Sequence, residues 1–309
     1  MPPFFRLIRL PNLLIVAFTQ GLIYYVVLLP TFKYAGLTPE MGPLSFWMLC
    51  LATLLVTAAG YVVNEVHDQP GDVVNKPDRR VVGVHFSEKF SLRLYIFLGI
   101  SGFLVSAILA FTLQKFSWLP LYPFAFGTLY CYTVFAQHRV LLGNLLIAAF
   151  CAGVAGLIWV AEIRTLRELS AVFPEQYLRV RAIFIWYGIF AFLVNLYREI
   201  VKDLEDLPGD KAVGSRSLPV VAGITNAVRI AQVLALGLIV FLAMQARPLF
   251  LLFGFPLPVF LGIGVVLPLV FTVFKLQKAA CPQEFRIVSH WIKLVIVFGV
   301  LSLFFVSVG

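Results

Sequence analysis

The side chains best placed to do chemistry in this chain are its carboxylates, because they are few and clustered. Ten of the fifteen Asp and Glu residues fall within two short segments, 64–88 and 199–210. The first begins NEVHDQPGDVVNKPDRR at Asn64, and the second reads YREIVKDLEDLPGDKAVGSRS from Tyr197. Each has carboxylates four apart, a Pro-Gly step between them and basic residues behind. In a helical segment Asn64, Asp68 and Asp72 stack on one face, as do Asp206 and Asp210, with Asp203 about one turn before Asp206. Like charges at that spacing repel, so something must compensate them, and a hard divalent cation is the natural candidate. Magnesium takes oxygen ligands and keeps part of its shell for substrate phosphate. Lys76, Arg79, Arg198, Lys202 and Arg216 would repel a bare metal but suit an anion carried by it. The pattern therefore reads as carboxylates, then metal, then a phosphate or diphosphate flanked by cations. One such segment is equally well explained as a solvated loop. Two with matched spacing argue for a shared role.

The elements that must hold these acids are apolar. The 309 residues are 61% hydrophobic and 13% charged, with mean hydropathy +0.95, whereas a soluble domain is nearer half apolar and a quarter charged. This excludes disorder and disulfide scaffolds and predicts an all-α polytopic membrane protein. Nine spans are expected, at 11–32, 43–63, 92–113, 119–136, 141–161, 181–198, 221–245, 249–274 and 288–308, with Pro256, Pro258 and Pro268 bending the eighth. A barrel would alternate apolar and polar residues, and these runs do not. With the N-terminus cytoplasmic and the C-terminus outside, 17 of the 24 Lys and Arg residues lie at cytoplasmic ends, as the positive-inside rule requires. The exception is 162–180, assigned outside despite Arg164, Arg167 and Arg179. The first helix is full length and is followed by no small-residue cleavage site, so no cleavable leader is expected. In this layout the two acidic segments follow the second and sixth spans as loops 64–91 and 198–220, both cytoplasmic. They border a bundle rich in Phe, Tyr and Leu, so the rest of the substrate should be a lipid tail, and a lipid diphosphate fits best.

The net charge of +9 is accounted for by inward-facing loops beside anionic membrane lipids, and no nucleic-acid partner is expected. Cys50, Cys131, Cys151 and Cys281 form no C-x-x-C pair and read as buried small hydrophobes. No Ser-His-Asp pattern, P-loop or dinucleotide fingerprint is present. Tyr61, Tyr130, Tyr132, Tyr187 and Tyr197 could line a cavity, although aromatic residues in spans are more often packing or interface anchors. Asn144, at the start of a span, is a polar residue at membrane depth and joins that set.

The segment from Asn64 resembles the first aspartate-rich motif of the UbiA superfamily of intramembrane prenyltransferases, N-D-x-x-D-x-x-x-D, and NKPDR at 75–79 resembles its continuation. Asn64, Asp68 and Asp72 match, while Glu65 replaces the usual Asp. The segment from Arg198 is similar to the second motif, with Asp203, Asp206 and Asp210. Its form, with the G-x-x-[ST]-L-P-like tail at 214–219, is most similar to the branch that makes digeranylgeranylglyceryl phosphate. Tyr132 followed by LLGN at 141–144 is a weaker echo of a Y-S-x-x-L-K-R…G-N segment, and Gln137 stands where that segment usually carries Lys.

The resemblance implies one nine-span domain over 1–309, with a central cavity open to the bilayer beneath the two loops. It implies magnesium-dependent transfer of a geranylgeranyl or similar prenyl group from a prenyl diphosphate donor to an acceptor. That acceptor is a prenylglycerol phosphate-type lipid hydroxyl or an aromatic quinone precursor. Asn64, Asp68, Asp72, Asp203, Asp206 and Asp210 would hold two magnesium ions bridging the diphosphate, with Asp68, Asp72, Asp206 and Asp210 as the catalytic carboxylates. Lys76, Arg79, Lys202, Arg198 and Arg216 would neutralise the diphosphate further. Charge grows on the leaving diphosphate as the allylic C–O bond breaks, so cations there stabilise the transition state. A secondary transporter is the rival from another class, but its coupling-ion site should lie mid-span, whereas these acids flank spans.

Overall fold

The structure is a computed structural model that describes residues 1–137 and 139–306, without the side chain of Arg79; every regular element among them is helical. The long helices are α1 (Leu10–Tyr34), α2 (Pro43–His67), α3 (Glu88–Thr112), α4 (Leu121–Cys131, continued by a π turn Tyr132–Ala136), α5 (Leu142–Ala161), α6 (Pro174–Ala212), α7 (Ile224–Phe253), α8 (Pro256–Lys278) and α9 (Pro282–Phe305). All of these except α4 are long and apolar enough to cross a membrane, eight among the described residues. With its π turn α4 has 11 and 5 residues, about 24 Å at 1.5 Å per residue and short of a hydrocarbon core of roughly 30 Å. Residues 307 and 308 of the ninth expected span lie outside the described part.

Besides the short α4, and the segment 64–91, read as a loop but helical to His67 in α2 and again over Gln69–Asn75, two stretches differ from the sequence expectation. The eighth span does not begin at 249: α7 continues through Pro248 to Phe253, Gly254 ends it at φ +77°, and α8 opens at Pro256. A glycine with positive φ followed by a proline at the first helical position is a strong helix boundary, stronger than the unbroken apolar run suggested. Pro258 sits in the first turn of α8, where backbone N–H groups lack intrahelical partners anyway. Pro268 comes after a π turn, Gly262–Val266, in which the Leu267 N–H reaches the Gly262 carbonyl; α1 does the same before Pro30, with Leu29 N–H on Tyr24. The proline has no N–H and crowds the carbonyl four residues back, so the preceding turn widens. The second difference is that 198–220, read as a loop, is helical as far as Ala212. Gly214, at φ +72°, closes α6 with Ser215 N–H on the Asp210 carbonyl at 2.9 Å, a Schellman-type end.

The chain divides into two compact units, residues 1–17, 40–139 and 208–216 in the first and 18–39, 140–207 and 217–309 in the second. In the first, Ala58, Val62 and Val66 stack four apart along α2 and pack with Tyr95 and Leu98 of α3 and with Leu7 and Leu13. Gly102 lets α2 and α3 approach, since a Cβ there would lie 2.8 Å from Val56 Cγ2. Val81 and Val82 are buried in the same core, which pins the segment between α2 and α3. In the second unit, Ala227, Ala231 and Ala235 of α7 form a small-residue stripe in a core shared with α6, α8 and α9. Lipid tails are as apolar as leucine, so membrane helices gain from such close van der Waals approach more than from burial as such. The segment 162–180 contains a helix, Ile163–Val172, that buries Thr165, Leu166 and Leu169.

Candidate functional site

The first acidic segment keeps helical backbone bonding past the end of α2. The N–H groups of Asp68, Asp72 and Lys76 donate to the carbonyls of Asn64, Asp68 and Asp72, at 2.8, 2.9 and 2.9 Å. The four-residue stack expected from the sequence is thus formed. Asp68 is held on both carboxylate oxygens, by the Asn64 side-chain amide and by the Gln137 side-chain amide from the end of α4. Lys76 Nζ lies 3.9 Å from Asp72 Oδ1, an i,i+4 pair that offsets the repulsion between neighbouring acids. Glu65 faces elsewhere, toward Arg9 at 3.7 Å, and that guanidinium lies 5.2 Å from the centroid of the Tyr61 ring. The acidic residue that departs from the family motif therefore has a partner of its own.

The same unit contains the end of α6. Pro208 offers no N–H, and the Gly209 N–H donates to Asn75 Oδ1 at 2.8 Å. The approach is very close: a Cβ on Gly209 would lie 2.3 Å from Asn75 Nδ2 and 2.6 Å from the Gly71 carbonyl oxygen. The Pro-Gly steps noted between the paired carboxylates of each segment meet where Gly209 approaches Gly71 and Asn75, and this docking brings Asp210 into the unit that holds Asp68 and Asp72.

In the second unit, Asn144 is buried at the start of α5 and donates to Asp203 Oδ2 at 2.9 Å. Asp206 and Lys202 are half-buried on α6. Arg198 pairs with the adjacent Glu199 at 2.7 Å, and Glu205 with Arg286 of α9 at 2.8 Å. Arg216, in the first unit, is exposed. The side chain of Arg79 lies outside the described part.

The candidate cavity tyrosines separate. Tyr197 is completely buried in the apolar core of the second unit. Tyr187 shares a hydrogen bond of 3.2 Å with Thr19 and lines an apolar pocket with Trp186, Phe190, Phe241, Phe253 and Leu257. Tyr130 is exposed beside His67 and Tyr95, and Tyr132 is half-buried in the π turn. Sequence reasoning passed over Asn75 as a contact and Gln137 as a partner of Asp68. For Gln137 the signal was present as a departure from the motif; for Asn75 it lay in the NKPDR run.

The donor set is carboxylate and amide oxygen, which suits a hard divalent cation. Among the described residues no three His, Cys, Asp or Glu side chains form a ready-made metal centre.

Eight membrane-length apolar helices among the described residues, with acids gathered at helix ends, define an integral membrane protein. The chain matches the UbiA prenyltransferase family over residues 13–307, and it belongs to that family. It is 30% identical over 206 residues to the digeranylgeranylglyceryl phosphate synthase of Methanospirillum hungatei JF-1; the match covers 65% of this chain and 66% of that relative, just under two thirds of its length. The fold is similar to a structure reported for digeranylgeranylglyceryl phosphate synthase in membranes, with TM-score 0.63 and 20% identity over 98% of both chains. It is also similar to a UbiA homolog from Archaeoglobus fulgidus bound to DMAPP and Mg2+, with TM-score 0.55 and 15% identity over 98% of this chain and 99% of that one.

Proposed function

We propose that this protein transfers a prenyl group, geranylgeranyl by preference, from a prenyl diphosphate to the hydroxyl of a geranylgeranylglyceryl phosphate-type lipid in a magnesium-dependent reaction. The observation that carries this reading is the held carboxylate stack Asn64–Asp68–Asp72, with the Pro208–Gly209 step docked against it and Asp210 one residue further on. The relative from Methanospirillum hungatei supports the acceptor class, and the Archaeoglobus homolog bound to DMAPP and Mg2+ supports the donor and the metal.

In this reading Asn64, Asp68, Asp72, Asp203, Asp206 and Asp210 serve one diphosphate through two magnesium ions. Bound there, magnesium neutralises the leaving diphosphate. Asn144 holds Asp203 and Asn64 holds Asp68, so the carboxylates are oriented before substrate arrives. Lys76, Lys202, Arg79, Arg198 and Arg216 add positive charge to the leaving group as the allylic bond breaks. The tail lies among the aromatic side chains of the spans, where water is excluded and an allylic cation is not quenched. The chain acts as one domain of nine spans, α4 being the shortest, with the N-terminus and both acidic segments on the cytoplasmic side.

The test is incubation of purified protein with geranylgeranyl diphosphate, magnesium and either geranylgeranylglyceryl phosphate or an aromatic quinone precursor, with products read by mass spectrometry. The expected product is the doubly prenylated glycerol phosphate, lost on chelation of divalent metal. Prenylation of the aromatic acceptor alone would overturn the acceptor assignment, and uptake without product would make the protein a transporter.

A further inference from the structure

Gln137 is the one side chain from outside the acidic segments that reaches Asp68 among the described contacts. It stands directly after the π turn that ends α4, its backbone N–H bonded to the Tyr132 carbonyl at 2.8 Å. A π turn adds one residue to the helical ring and so swings the next residues by about 100° around the axis. That rotation is concentrated immediately before Gln137. A carboxylate only accepts hydrogen bonds, so the Gln137 amide must present its NH2 to Asp68 Oδ1. The amide carbonyl is then turned away, and Gln137 Oε1 is buried with no hydrogen-bond partner among the described residues. A buried amide oxygen left unsatisfied is unfavourable because it has given up its water, so the position calls for a ligand. Each oxygen of Asp68 accepts one amide hydrogen and keeps another lone pair available. A neutral oxygen donor therefore stands one carboxamide away from a carboxylate with spare capacity.

We propose that Gln137 contributes its amide oxygen to the divalent cation held at Asp68, directly or through a cation-bound water, while its NH2 fixes the Asp68 carboxylate. The inference rests on the metal site of the proposed function and adds to it a residue from outside both acidic segments. Gln137 leaves the charge of Asp68 intact, which a lysine at the same place would partly neutralise.

The test measures Mn2+ binding to the detergent-solubilised full chain by electron paramagnetic resonance, with inorganic diphosphate present and Mg2+ as competitor. The variants are Gln137→Leu, Gln137→Glu, Gln137→Lys and, as a control on the site itself, Asp68→Asn. Removing an outer partner of a metal site weakens affinity about 10–100-fold, and Gln137→Leu should fall in that range. Gln137→Glu keeps the oxygen and should restore most of the affinity, whereas Gln137→Lys keeps only the donor and should not. If Gln137→Lys restores binding and Gln137→Glu does not, Gln137 acts only as a hydrogen-bond donor and the proposal is overturned. Should Gln137→Leu not survive extraction, the Glu and Lys variants decide the matter between them. Wild-type protein that binds no Mn2+, or Asp68→Asn that binds it normally, refutes the metal site itself; loss in Asp68→Asn with no effect at Gln137 refutes only the role of Gln137.

Discussion

Replacement of Gly209 by alanine tests the packing that joins the two acidic segments. Gly209 lies within α6, so alanine at that position would ordinarily stabilise the helix by about 0.5–1 kcal/mol. Here the new Cβ would meet Asn75 Nδ2 at 2.3 Å and the Gly71 carbonyl oxygen at 2.6 Å. The Asn75 side chain can rotate away, but doing so gives up its bond from the Gly209 N–H, worth about 1 kcal/mol. The Gly71 oxygen is backbone and falls about 0.8 Å short of an ordinary contact distance of 3.4 Å, so the two segments must separate. Overpacking of this kind costs about 1–3 kcal/mol, which leaves a net destabilisation of about 1–3 kcal/mol. Functionally, a shift approaching 1 Å beside Asp72 and Asp210 should lower turnover about a hundredfold. The assay pairs thermal unfolding in detergent with product formation. Gly71→Ala is the control, because its Cβ meets nothing nearer than 3.9 Å. Adding Asn75→Ala to Gly209→Ala should recover only part of the loss, since the clash with backbone remains. A Gly209→Ala protein with wild-type stability and turnover would refute the reasoning.

The same geometry sets four further outcomes. Asp68→Ala and Asp206→Ala should each abolish metal-dependent turnover, by more than about a hundredfold, in protein that still inserts in membranes, as fractionation and product analysis would show. Asn144→Ala removes a hydrogen bond of 2.9 Å to Asp203 and should raise the metal concentration needed for half-maximal turnover about 10-fold. Arg9→Ala breaks a contact of 3.7 Å with Glu65; such pairs contribute about 0–1 kcal/mol, so stability and metal dependence should barely change, and a large loss of metal affinity would show that Glu65 belongs to the metal site. Lys115→Met removes the buried ion pair of 2.7 Å that Lys115 makes with Glu40, the two side chains being 7% and 12% exposed. It should cost about 3–5 kcal/mol in thermal unfolding while leaving the metal dependence of the surviving protein unchanged.

Much of this protein is legible in its sequence because a bilayer allows few solutions. Backbone groups in hydrocarbon must be satisfied within their own segment, so long apolar runs dictate helices, and the scarcity of charge makes each acidic cluster visible. The four-residue spacing of Asn64, Asp68, Asp72 and Lys76 likewise becomes a stacked face, since helical geometry is local. The end of α7 was less legible, because hydropathy is blind to the glycine that turns the chain at 254. Contacts distant in sequence were not legible at all. Asn75 bonds Gly209 across 134 positions, Gln137 bonds Asp68 across 69, and Asn144 bonds Asp203 across 59. Nothing in the periodicity of either partner encodes such a meeting. It depends on how helices pack, on a π turn that redirects one side chain, and on a glycine small enough to let two backbones touch. The sequence by itself determined which residues could hold an anion's countercharge; tertiary structure decided which amides hold those carboxylates and that Glu65 faces an arginine.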